Sequence, residues 1–339
     1  VRTLKSGCVA PTPSPFDPLP SRLSGPSPNR VVPFVFTESE RALADAAFQP
    51  LKDFSIPHKR GTIEQQFGIG HRLRAVTGSH ASLEDFTIPP GDPGLFGPES
   101  MAWRVHAHFS AMMVGGLSSL MVQALHPRAL AAVWDHSDFR RNLRGRLGRT
   151  AYFVAATTYG GRQQAMRTIE RVNAIHAHAV GTDLQGRPYA ANEPALIRWV
   201  HLVEVTAFLA AFQHLSKKPL SPQECDRYIA EMTQIGHLLG AVDLPPTLQA
   251  TEQALLDFQD ELMFDTRAQE IMRVIQSYPA DVVDRPFMAL VLQAAFDVMP
   301  DWALRLTGRC RSCAVQQQAT RLALRLGAEP VQWMLDQQG

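Results

Sequence analysis

Cysteine is scarce. Cys8, Cys225, Cys310 and Cys313 are the only four in 339 residues. That is too few for a disulfide scaffold. Cys310 and Cys313 form one isolated C-x-x-C with no second pair, so the sequence lacks the four ligands of a structural zinc site. An excess of either charge is also missing. Lys+Arg is 33 against Asp+Glu 32, a net charge of +1, which gives no global field to favour nucleic acid or an anionic membrane. No glycine-rich phosphate loop and no run of alternating strand pattern is present. The first thirty residues lack the apolar core of a secretory leader, so a cytoplasmic setting is expected. The most apolar run, Phe109 to Leu125, contains three serines and a glutamine and falls just short of a comfortable membrane span. It reads as a buried central helix.

What is present is helix after helix. With 45% apolar and 19% charged residues, the chain has the composition of a globular protein. Residues 1–30 are rich in Pro and Ser and predict an extended or disordered arm. Residues 31–97 predict a mixed helical and irregular segment, and 98–339 one large helical domain. The segment from Pro98 reads as one helix stopped by Pro127. A short helix opened by that proline follows. The next, "SDFRRNLRGRLGRTAYFVAATTY", breaks at Gly160-Gly161, with Asp135 or Ser137 as its expected cap. The helix after it, starting near Arg162, ends at Gly181. Ser221, Pro222 and Glu224 spell a capping box. Further helices are expected over 246–277, 285–297 and 313–336.

The chemistry concentrates in two of these helices. In "VNAIHAHAVG", His176 and His178 are two residues apart, about 200° of helical rotation, so the rings face opposite ways. Met166, Ile169, Val172, His176 and Val180 form one apolar stripe, which puts His176 inward. Arg167, Arg171 and His178 mark the solvent face. A buried imidazole needs partners for both nitrogens: either hydrogen bonds, or a metal on one of them. In the preceding helix, Arg146, Arg149 and Thr150 lie at i, i+3 and i+4, before the apolar "AYFVAATTY". They form either a solvated basic face or a cationic group at the mouth of an apolar wall. His126 and His136 are further candidates, but no pair makes an H-x-x-x-H or H-E-x-x-H pattern.

Several stretches, in order, resemble the latex-clearing proteins (rubber oxygenases) and the fungal MpaB-type oxygenases. They are "LMVQALHPRALAAVWDHSDF", "GRLGRT", "YFVAATTYGG", "IHAHAVG" and "RPYAANEPALIRWVHLVEV", within about 98–300. The resemblance implies a mainly α fold with a globin-like core that binds haem b, and oxygen-dependent cleavage of a carbon–carbon double bond in some members. It makes His176 the iron ligand. It aligns Arg146, Arg149 and Thr150 with the family's arginine, distal lysine and threonine, where they would stabilise bound oxygen. Arg149 departs from that pattern, since a guanidinium, unlike an amine, stays charged and ligates poorly. The family's distal glutamate has no clear counterpart, and Asp135, His136 and Gln123 are the candidate polar groups near oxygen. Gly115-Gly116 is expected to let a flat macrocycle approach a helix. The implied substrate is apolar and unsaturated, with no nucleic-acid partner and no membrane span. Two other readings stay open on the residues alone. One is a non-catalytic carrier of haem or another hydrophobic ligand. The other is an interaction module using the arginines from Arg140 to Arg149.

Overall fold

The structure, a computed structural model, describes residues 91–277 and 285–337, with side chains as far as 326 in the last helix. All of them belong to one unit, Thr37–Gly339. The expected Pro/Ser-rich arm and almost all of the segment before residue 98 lie outside the described residues. Among the described residues are twelve α-helices and a single two-stranded sheet, so the domain is mainly α. In order they are α1 (Met101–His106), α2 (Phe109–Gln123), α3 (Pro127–His136), α4 (Leu143–Tyr159), α5 (Arg162–His178), β1 (Val180–Thr182), β2 (Pro188–Ala190), α6 (Pro194–Leu215), α7 (Pro222–Leu239), α8 (Leu248–Leu256), α9 (Thr266–Gln276), α10 (Arg285–Asp297), α11 (Asp301–Leu306) and α12 (Ala314–Gln337).

The centre is the pair α2 and α6, packed along most of their length. Gly115 sets their separation. A Cβ there would lie 2.8 Å from Phe208 Cδ1, 2.9 Å from its Cα and 3.0 Å from the Ala207 carbonyl oxygen, so only glycine permits this approach. Gly115 therefore serves a helix contact, in place of the expected approach of a macrocycle. Trp199, fully buried on α6, donates from its indole N–H to the Gln123 carbonyl at 3.2 Å, tying α6 to the end of α2. Helix α6 is long and apolar enough to cross a membrane by length and composition, yet 67% of that stretch is buried against the rest of the fold, as a core helix is.

Local chemistry places the helix boundaries. Ser221 accepts from the Glu224 N–H at 3.3 Å while the Glu224 carboxylate accepts from the Ser221 N–H at 2.8 Å, the capping box expected for α7. The single helix expected before Pro127 is two, because His108 turns its Nδ1 to accept from the Ala111 N–H at 3.3 Å and starts α2 afresh. Helix α4 is capped by Asn142 through the Gly145 N–H, in place of Asp135 or Ser137. The helix expected over 246–277 is interrupted between Leu256 and Thr266, where Asp265 caps α9. Likewise α5 ends at His178, and Val180–Thr182 turns into a strand paired antiparallel with Pro188–Ala190. The buried Asp183 carboxylate holds that hairpin, accepting from the N–H groups of Gln185 and Arg187 at 2.9 Å each and from Arg187 Nε at 2.7 Å. Three-residue strands are too short to show an alternating pattern.

Candidate functional site

Helices α2 and α3 meet in an elbow of 108°. Inside it lies a small, partly open apolar cavity of about 50 Å³. Its walls come from Leu120 and Gln123 on α2, Ala124 at its C-terminal cap, Leu130 and Val133 on α3, Val200 on α6, and Ile271 and Ile275 on α9. Among the described residues, Arg146, in the first turn of α4, is the one charged residue of the wall. Burial works against its charge, the neighbouring Arg149 adds to that, and Glu204 and Asp138 offset part of it. One guanidinium nitrogen donates to Thr150 Oγ1, a turn further along, and that hydroxyl donates back to the Arg146 carbonyl at 3.2 Å. Arg146 and Thr150 thus form one unit.

The three residues at i, i+3 and i+4 do not share a direction. Arg149 is 59% exposed and pairs with Asp138 at 2.7 Å on the surface. It reaches the cavity only through its charge.

His176 and His178 separate as their spacing requires. His178 is exposed, with Nδ1 on the Ala174 carbonyl at 2.8 Å. His176 is half-buried, and its Nδ1 is enclosed without a hydrogen-bond partner. Burial and, after it, the Arg146 charge hold the His176 ring below the usual imidazole pKa, so it is neutral and keeps a free lone pair. Among the described residues no three of His, Cys, Asp and Glu converge to hold a metal ion by protein ligands alone. A porphyrin iron needs only one such ligand from the protein, and an uncommitted neutral imidazole is that ligand's chemistry. In this respect the residues fit haem.

The remaining candidates are held elsewhere. His126 accepts at Nδ1 from the Ala129 N–H at 3.5 Å, capping α3, and its Nε2 lies 3.4 Å from Glu261. His136 is exposed and bonds the Val180 carbonyl at 3.2 Å. Asp135 accepts from the Tyr189 hydroxyl at 2.8 Å. Of the polar candidates only Gln123 lines the cavity, and its amide donates to Ser119 Oγ at 2.8 Å and the Val200 carbonyl at 3.3 Å.

Sequence reasoning missed Glu204. It lies on α6 one turn beyond Val200, on the face that meets the cavity, and it acts electrostatically on Arg146. Burial pushes its carboxyl up to about 7, against the pull of Arg146. The signal was available: Glu204 is the lone acid in "ALIRWVHLVEVTAFLAAFQHL". A carboxylate in so apolar a helix has to be paired or neutral.

The fold and the site define a class: a helical domain in which one half-buried cation walls an apolar cavity and acts electrostatically on a neutral imidazole whose Nδ1 has no partner. The family model described as ER-bound oxygenase mpaB/B'/rubber oxygenase, catalytic domain, matches residues 103–329, and the chain belongs to that family. The matched stretch is an oxygenase catalytic domain and covers the site from α1 into α12. No curated protein and no solved structure matches the chain.

Proposed function

We propose that this chain is a haem b-dependent oxygenase, with His176 as the protein ligand to iron, acting on an apolar unsaturated small molecule or polymer and dioxygen. When bound, haem supplies the activation of dioxygen. The chain's own residues do the rest. Burial keeps the His176 ring neutral and available as a ligand. Arg146 offers a fixed positive charge in a water-poor wall, where it counts for more than in solution. Thr150 holds that guanidinium in place. Arg149, from the surface, adds positive charge near it. Leu120, Leu130, Val133, Val200, Ile271 and Ile275 exclude water and favour a hydrocarbon. Glu204, a carboxyl balanced near neutrality, can hold or release a proton beside Arg146.

The observation that carries the reading is the enclosed, unpartnered Nδ1 of His176 under the charge of Arg146, which itself walls the cavity. The test is the absorption spectrum of the purified chain as isolated and after addition of hemin. A Soret band near ~400 nm is expected for a histidine-ligated haem, and its loss in His176→Ala. A chain that remains colourless and takes up no hemin ends the proposal. If haem binds but no alkene consumes oxygen, the protein is a carrier.

A further inference from the structure

The last two turns of α5 hold two enclosed polar atoms that no other described residue partners: Nδ1 of His176 and Oδ1 of Asn173. The Asn173 amide is not free to turn over. Its Nδ2 donates to the Leu238 carbonyl, near the end of α7, at 2.9 Å. Only the amide nitrogen can donate there, so Oδ1 is left as an acceptor with nothing to accept. The two atoms are also close by construction. Residues three apart are neighbours on a helix surface, and helical side chains lean toward the N-terminus. The His176 ring therefore leans back over the turn that carries Asn173.

His178 shows what a histidine of this helix does otherwise. Its Nδ1 sits 2.8 Å from the carbonyl of Ala174, four residues back. His176 Nδ1 makes no such bond, although Val172 stands four residues before it. A neutral imidazole has one N–H and one lone pair, and the hydrogen bond made by one nitrogen decides what the other presents. Of the two ring nitrogens of His176 only Nδ1 is enclosed without a partner, so Nε2 is the one with access to a ligand. A metal-ligating histidine commonly donates from its other nitrogen to a fixed acceptor, which orients the ring. Oδ1 of Asn173 is an acceptor of that kind.

We infer that Asn173 is a positioning residue: its Oδ1 accepts from the His176 Nδ1–H and so fixes the tautomer whose Nε2 lone pair faces the iron. The iron comes from the haem reading, on which that part of the inference rests; the tautomer does not need it. A neutral amide accepts more weakly than a carboxylate, so it orients the ring without giving it imidazolate character.

Two measurements test this. In the haem-free chain, nitrogen NMR of the imidazole rings should place the His176 proton on Nδ1, the resonance being identified by its loss in His176→Ala. Asn173→Ala should move that proton to Nε2. In the hemin-loaded chain, Asn173→Ala should release hemin to excess apomyoglobin at least about tenfold faster, and Asn173→Asp no faster than the wild type. The haem reduction potential should rise in the Ala variant and fall in the Asp variant, because a carboxylate draws the N–H more strongly and makes the ring a better donor. Both variants lose the bond to Leu238, so a merely structural Asn173 would move both potentials the same way or neither. A wild-type His176 protonated on Nε2 overturns the inference, and so do potentials that shift together or not at all in variants whose circular dichroism melts show a folded chain. A chain that takes up no hemin ends the haem reading instead, and the haem-free tautomer still decides whether Asn173 holds the ring.

Discussion

Two imidazoles inside the domain make the most useful comparison. His106, on α1, is buried with both nitrogens engaged, 2.8 Å from Thr158 Oγ1 and 3.1 Å from the Tyr228 hydroxyl. His176, on α5, is less deeply set, yet its Nδ1 is enclosed and has no partner. Burial is the main cause of a lowered pKa in both, and it takes His106 down to about 3. Protonation therefore does not distinguish them. Satisfaction does: folding engages both ring nitrogens of His106 and leaves Nδ1 of His176 without a partner.

Substitutions widen or close that contrast. The largest effect is expected at His176, where Ala should lower haem affinity at least about a hundredfold, read by hemin titration, with little change in melting temperature because no hydrogen bond is lost. Arg146→Ala should follow, cutting oxygen consumption about 10- to 1000-fold while the Soret band survives, as expected for loss of one preorganised charge. His106→Ala should do the reverse: haem binding persists, while unfolding free energy in urea falls by about 2–3 kcal/mol as Tyr228 and Thr158 lose their partner.

Glu204→Gln should stabilise the fold in a pH-dependent way. The native carboxyl stays neutral up to about 7, whereas the unfolded one ionises near 4.5. Its contribution is complete below the unfolded value and is lost as pH rises through 4.5 toward 7. The gain of the Gln variant over wild type should therefore appear above pH 4.5 and level off above 7, at roughly 1–3 kcal/mol. Arg149→Ala should change stability by less than about 0.5 kcal/mol, as an exposed ion pair does. A large loss of folding there would mean that the outer face of α4 is more than a solvated one.

Helix content was readable because its signals are local. Ser221, Pro222 and Glu224 start α7 by chemistry that four residues contain, and Pro127 opens α3 in the same way. The opposite orientations of His176 and His178 follow from helix geometry alone. What escaped depends on neighbours far away in sequence. Whether Arg146 or Arg149 turns inward is decided by what packs on α4, and the i, i+3, i+4 spacing gives no preference between them. The role of Gly115 lies in a backbone contact with Phe208, some ninety residues on. Glu204 was legible as a misfit, but its partner Arg146 comes from another helix. The β1–β2 hairpin was invisible because what secures it is one buried carboxylate, Asp183, rather than a pattern.

The elbow between α2 and α3 has a practical consequence. Two walls of the cavity are consecutive arms of one chain, and the angle between them is held through main-chain carbonyls: the Met263 N–H donates to that of Leu125 at 2.8 Å, and the Trp199 indole N–H to that of Gln123 at 3.2 Å. None of these atoms belongs to a side chain that faces the hollow. Leu120, Leu130 and Val133 can therefore be trimmed or enlarged to tailor what enters, as stones are changed in a setting whose metal is already cast.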